Sequence, residues 1–401
     1  MKKSTLLAYL FYSLVNYLAF FVVIPLFTPE ILDPSSPYRD PLNLIVDPTT
    51  LLGVVLGIYG LGLFSGSLVL GRWSDRFGKK WALKITMILF ILGNLGVGYF
   101  FSIENVWMLV FFRFVTGLGS SGAQLLYNAI DDLESDQKKK VRAIGYLVGV
   151  SLFATVAGPV FGPFFVGNQG FFLGTPFYLL ALMGGASLLF LEKTWPKKSE
   201  EAKALDDNLI TILSNPKILF LAATFFLMIL NIESLFIAIP ILMVMAFQVT
   251  HSWIALFFAY GGLVAVLTGS LIIPWVGRFF SLRLAYFFSF IGLIFATLAF
   301  LLASTPEEVF VPFTLFAIFG SIALFNGNEL ALALVEKKNS GAVRGVLGSL
   351  IAIAIFASSL LMGYSASINL LLPILAMALM AVLGTFLTLA GFHLFKATKG
   401  N

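Results

Sequence analysis

The sequence predicts an all-α membrane protein whose twelve transmembrane helices form two pseudo-symmetric six-helix bundles. Three observations carry that expectation. The chain is 59% hydrophobic and only 11% charged, where a soluble domain carries about a quarter charged residues. Twelve apolar runs reach membrane length. Once the runs alternate in direction, Lys and Arg fall almost wholly on one side.

About 20 residues at a helical rise cross the hydrocarbon core. A lipid-exposed backbone must satisfy its own hydrogen bonds, so each run reads as a helix. The runs cover roughly 5–27, 51–70, 85–102, 107–130, 143–166, 174–191, 218–246, 254–276, 284–304, 309–335, 345–366 and 370–395, and are numbered spans 1 to 12. With Lys2 and Lys3 in the cytoplasm, 23 of 25 basic residues lie on the cytoplasmic side. Arg39 lies outside and Arg113 within a span. This satisfies the positive-inside rule. It predicts an integral protein of the cytoplasmic (inner) membrane with both termini cytoplasmic. The net charge of +5 then reflects topology, not nucleic-acid binding. The first run is too long for a signal-peptide core and no clear cleavage site follows it. The chain has no cysteine, which excludes disulfides and thiolate metal sites. His251 and His393 are expected near opposite faces, so neither a metal nor another cofactor is expected.

Residues 192–217, rich in Lys, Glu and Asp, form the longest cytoplasmic connection. They divide the chain into an N-terminal bundle (1–191), a linker (192–217) and a C-terminal bundle (218–401). The halves match weakly in the same order. Asn16 to Pro25 reads NYLAFFVVIP and Asn231 to Pro240 reads NIESLFIAIP. GSLVL from Gly66 matches GSLII from Gly269, and Arg142 matches Arg344. Matches in fixed order are the trace of a duplicated six-helix unit. The outer loop 28–50, with Pro34, Pro37 and Pro41, is expected to cap the mouth.

Between spans 2 and 3 the chain reads GRWSDRFGKK from Gly71 to Lys80. It is a compact basic turn with one acid, Asp75, and two glycines, Gly71 and Gly78, that allow tight helix ends. Its spacing is wrong for a phosphate loop and no Ser or Thr follows the Lys, so no ATP site is expected. Arg113-Phe-Val-Thr-Gly117 lies in span 4, and Gly158-Pro159-Val-Phe-Gly162 in span 5. These residues resemble the major facilitator superfamily, and within it the twelve-span drug/proton antiporters, especially tetracycline-exporter-like members. The ten-residue loop matches the signature G-x-x-x-D-R-x-G-R/K-K, Arg113 to Gly117 matches R-x-x-x-G, and Gly158 to Gly162 matches G-P-x-x-G. The resemblance covers the whole chain in topology and most of the first half in motifs. It implies a major facilitator fold working by alternating access. It also implies that Arg113 takes part in proton coupling and that Asp75 sits near the start of span 11, whose N-terminus favours negative charge. Asp132 matches the acid ending span 4 and is expected to pair with Arg76 or Lys79 as a cytoplasmic gate. The sequence departs from the subgroup at two acids: Asn16 and Asn94 stand where membrane carboxylates are usual, and span 9 has none.

The spans hold three formal charges, Arg113, Glu233 and Glu329. Each costs a few kcal/mol at mid-bilayer unless it faces water or a partner. Glu233 near the middle of span 7 reads as a carboxylate that loads and releases a proton, or as a static hydrogen-bonded acid. Arg113 reads as the tuner of a nearby acid, the holder of an anion, or a packing anchor, because a guanidinium does not titrate. Glu329, beside Asn326 and Asn328, reads as an inner acid. Arg113, Gly117, Ser120 or Ser121, Gln124 and Asn128 form one polar stripe at helical spacing, either cavity lining or interhelical glue. Asn16, Asn94, Asn231 and Asn326 are further cavity candidates, with Tyr12, Tyr17, Phe20, Tyr127 and Phe236 as aromatic ones. Gly158, Pro159, Gly162 and Pro163 suit a hinge between the halves or a packing kink.

The expected function is proton-coupled export of a small amphipathic or hydrophobic compound, with Glu233 carrying the proton and Arg113 and Glu329 in support. The alternatives are a facilitator or importer of a polar metabolite, or an exporter of a siderophore or lipid-like molecule. No nucleophile, base or metal set marks an enzyme. The expected partners are a small-molecule substrate, protons and the lipid bilayer, with a monomer as the working unit.

Overall fold

The computed structural model describes residues 2–36, 38, 46–134, 136–166, 172–195, 215–335 and 340–393. Much of the expected linker (196–214) and part of the outer loop (37 and 39–45) lie outside the described residues, as do the side chains of Asp75 and Asp132. The described chain is helical, and twelve of its helices are long and apolar enough to cross a membrane.

Span 1 is longer than expected. It runs Lys3–Leu32 as two helices, Lys3–Phe21 and Val23–Leu32. The break at Val22 precedes Pro25, which has no N–H to bond the carbonyl of Phe21. Polar Thr28 is absorbed by donating its hydroxyl to the Ile24 carbonyl at 2.8 Å. Pro240, the matching proline of span 7, is accommodated inside one helix, Pro216–Phe247. Span 2 starts at Pro48, capped by Asp47, whose carboxylate accepts from the Thr49 backbone N–H at 2.9 Å. Its helix continues through Gly71 to Phe77. The expectation that both loop glycines end helices is therefore corrected. Gly71 lies inside the helix, and only Gly78, at φ 92°, makes the reversal into the helix Lys79–Ser102. That φ is open to glycine at little steric cost.

The chain separates into two compact units: Met1–Leu205 with Thr250–Ala259, and Asp206–Val249 with Tyr260–Asn401. In the first, span 4 (Val106–Ile130) packs on spans 2 and 3, while span 1 packs on spans 5 and 6. In the second, span 10 (Phe310–Ala333) packs on span 9, while span 7 packs on spans 11 and 12. The pairings of span 3 with 4 and of span 1 with 5 and 6 thus recur six spans later. One buried tyrosine hydroxyl ties the first and third spans of each set: Tyr12 with Thr86 at 2.7 Å, and Tyr286 with Thr224 at 3.4 Å. The sequence did not anticipate that the start of span 8 would group with the first unit. There His251 Nε2 lies 3.1 Å from a Glu30 carboxylate oxygen, although the ring N–H is not aligned for a hydrogen bond.

Tyr38 is the one described residue in the stretch 37–45, and it is buried, donating its hydroxyl to the Phe101 carbonyl at 2.8 Å. Burial, then the carboxylates of Glu104 and Glu30, hold its phenol well above the usual tyrosine range, so it stays a donor. Tyr38→Phe is expected to lower stability by about 1 kcal/mol, the net value of one such bond. A thermal melt in detergent with an unchanged midpoint would contradict this.

Candidate functional site

In the first unit the site is built on the packing of span 4. Its first helix, Val106–Ser120, is capped by Asn105, which accepts from the Met108 backbone N–H at 3.1 Å. Glycines then bring spans 2 and 4 together reciprocally. A Cβ on Gly62 would overlap the Phe114 carbonyl, and one on Gly117 would overlap the Tyr59 carbonyl. Gly93 and Gly119 do the same between spans 3 and 4, against Thr116 and Phe90. Small residues allow such approach where no hydrophobic effect drives helices together. The result buries Arg113 to 2% exposure and fixes Tyr59 beside it.

The guanidinium carbon lies 4.7 Å from the Tyr59 ring centre and 5.9 Å from that of Phe27. Its Nε is buried and has no hydrogen-bond acceptor. Among the described residues no carboxylate lies within 4 Å of it. Desolvated cation–π contacts contribute about 2 kcal/mol. Burying an unpaired ion costs several kcal/mol. The rings therefore offset only part of the cost. Phe20 extends the aromatic wall, 5.5 Å from Tyr59, and Tyr17 lies beside Tyr127. Tyr59 and Phe27 were not anticipated; Gly62-x-x-x-Gly66 was the available signal that this face of span 2 meets another helix.

The rest of the span 4 stripe divides. The helix is interrupted at Ser121. Ser120 is buried and donates to the Thr116 carbonyl at 3.0 Å. Gln124 accepts from the Ser67 hydroxyl of span 2 at 2.8 Å, a bond between helices. Asn128 is exposed, and its backbone carbonyl accepts from Lys79 Nζ at 3.0 Å. Asn16, Asn94 and Asn326 are buried and donate Nδ2 to the carbonyls of Tyr12, Phe90 and Ile322, each one turn back in its own helix. Short polar side chains often bond locally in this way. The Oδ1 of Asn16 is left buried without a partner.

In the second unit Asn231 is fully buried and donates to the Met377 carbonyl of span 12 at 2.6 Å. Its Oδ1, like that of Asn16 at the matching repeat position, has no partner. Glu233, two residues on and so on the far side of the helix, is half-buried. It makes no ion pair or hydrogen bond with another described residue. Glu329 is exposed.

The basic turn after span 2 grips its own unit. Besides Lys79, the ammonium groups of Lys80 and Lys84 both contact Glu192 of span 6, Lys80 at 2.9 Å. Arg76 is exposed, with its guanidinium 5.3 Å from the Phe77 ring. In span 5, Pro159 lies inside the continuous helix Gln137–Val166. A Cβ on Gly158 would lie 2.6 Å from Phe21, and one on Gly162 2.8 Å from Val22 and Leu26. Both glycines therefore serve close packing on span 1 of the same unit.

Residues 5–359 match the family model of the Major Facilitator Superfamily. An uncharacterised transporter of Buchnera aphidicola is 32% identical over 30% of this chain and 30% of its own length. The class H tetracycline resistance protein of Pasteurella multocida is 25% identical over 46% of this chain and 48% of its own length. The chain thus spans less than half the length of these relatives. The crystal structure of the human organic anion transporter MFSD10 (TETRAN) superposes with a TM-score of 0.70 at 14% identity, covering 97% of this chain and all of that one. At that identity the likeness concerns the fold. With twelve spans, this fold and a family match over most of its length, the chain belongs to the major facilitator superfamily.

Proposed function

We propose that this transporter exports a small amphipathic compound from the cytoplasm in exchange for protons, and that Glu233 carries the proton. The observation that carries the reading is a lone carboxylate in the middle of span 7, half-buried and without a partner among the described residues. A carboxylate so placed favours its neutral form when enclosed and its charged form when wet. That difference is what a proton carrier needs as access alternates. The drug/proton antiporter resemblance and the partial match to a tetracycline resistance protein support export. In this reading residues 1–191 and 218–401 alternate about the linker 192–217. The loop residues Asp75, Arg76, Lys79 and Asp132 latch the cytoplasmic side. Arg113 and Glu329, the other two charges within the spans, support the coupling.

The test uses proteoliposomes and a compound selected by ligand-induced thermal shift. Vesicles with an acid lumen are expected to accumulate it, and nigericin is expected to abolish the accumulation. Equilibration without accumulation, unchanged by nigericin, would identify a facilitator instead.

A further inference from the structure

We propose that the aromatic box around Arg113 binds the anionic head of the cargo, so that the transported compound is an organic anion with a flat, apolar body. This rests on the transporter reading above and names its substrate class.

Arg113 carries a charge that cannot be removed. A guanidinium stays protonated at any working pH, and this one is 2% exposed within a membrane span. A purely structural arginine would be saturated by carbonyls, but Nε here has no acceptor. No described carboxylate lies within 4 Å to neutralise it. The Tyr59 and Phe27 rings compensate only in part. The missing compensation is an anion, and a guanidinium fork suits carboxylate, sulfonate or phosphate oxygens.

The surroundings define the rest of the ligand. Phe27 and Tyr59 are buried, whereas Tyr17, Phe20 and Tyr127 beside Tyr59 are only half-buried. The less covered side of the box is thus lined by aromatic rings. Such rings take up a flat apolar body by offset stacking. A cationic compound would meet a fixed like charge.

The experiment compares naphthalene-2-sulfonate with naphthalene-2-sulfonamide, and naphthalene-2-carboxylate with its carboxamide. Each is titrated against the full chain in detergent by thermal shift. The acids are expected to bind about tenfold or more tighter than their neutral partners, the ratio that a charge-assisted hydrogen bond supplies. Ethidium, an aromatic cation, is expected not to compete. Arg113→Gln is expected to erase the preference for the acid, and Arg113→Lys to keep part of it. If Arg113→Gln does not fold, the wild-type pairs decide alone. Equal affinity for acid and amide, failure of both acids to bind, or an acid preference that survives in Arg113→Gln would overturn the proposal. No proton gradient is present in detergent, so this result and the coupling test fail separately.

Discussion

Glu233→Gln is expected to reduce pH-gradient-driven accumulation in proteoliposomes to the level of empty vesicles, while exchange of labelled for unlabelled compound continues. Gln keeps the size and one carbonyl oxygen of Glu but cannot release a proton. If Glu233 carries the proton, the variant still alternates but no longer links its cycle to the gradient. A packing role would give a different pattern, because the side chain makes no hydrogen bond or ion pair with described residues. Its replacement by an isostere should then leave both assays unchanged. Loss of exchange together with accumulation would point to a damaged cargo site instead. Uptake with and without a gradient, measured on one preparation, separates these outcomes.

Gly117→Ala is expected to have the largest effect on stability. The added methyl would overlap the Tyr59 carbonyl, which is backbone and cannot rotate away. Span 2 must retreat, and the reciprocal contact of Gly62 with Phe114 opens with it. Overpacking in a tight core costs about 1–3 kcal/mol, occasionally more. The retreat also draws Tyr59 off the Arg113 guanidinium. A lowered melting midpoint is expected, with weaker acid binding in whatever fraction folds. Gly71→Ala is the control, since a Cβ there meets nothing within 4 Å. Its midpoint should match or exceed that of the wild type, because alanine is the better helix former inside a helix. Equal midpoints for Gly117→Ala and Gly71→Ala would contradict the packing account.

Much of this architecture was legible in composition. Twelve apolar runs and the placement of Lys and Arg were enough to expect twelve helices. Span ends were less legible where a polar residue satisfies itself. Thr28 back-bonds within its helix, so span 1 continues past an apparent end to Leu32. The site was legible only through its charges. Membrane cost singles out Arg113 and Glu233, because an ion in a span needs a reason. It could not show that aromatic rings cover Arg113, since Phe27 and Tyr59 come from other spans and aromatic residues are abundant. Nor could it show that Asn16, Asn94 and Asn326 turn their amide N–H groups onto their own helices. Spacing puts a side chain on a face but does not say which carbonyl it finds. The loop motif misled in one detail: Gly71 reads as a helix end, yet the helix runs through it to Gly78.

The central claim is that Glu233 gives up a proton when cargo binds. The direct measurement is proton release into weakly buffered detergent solution on addition of naphthalene-2-sulfonate, followed with a pH-indicator dye. The wild type is expected to release protons in proportion to bound ligand, and Glu233→Gln, binding the same compound, to release none. Equal release from both proteins, or none from either at saturating ligand, would contradict the account.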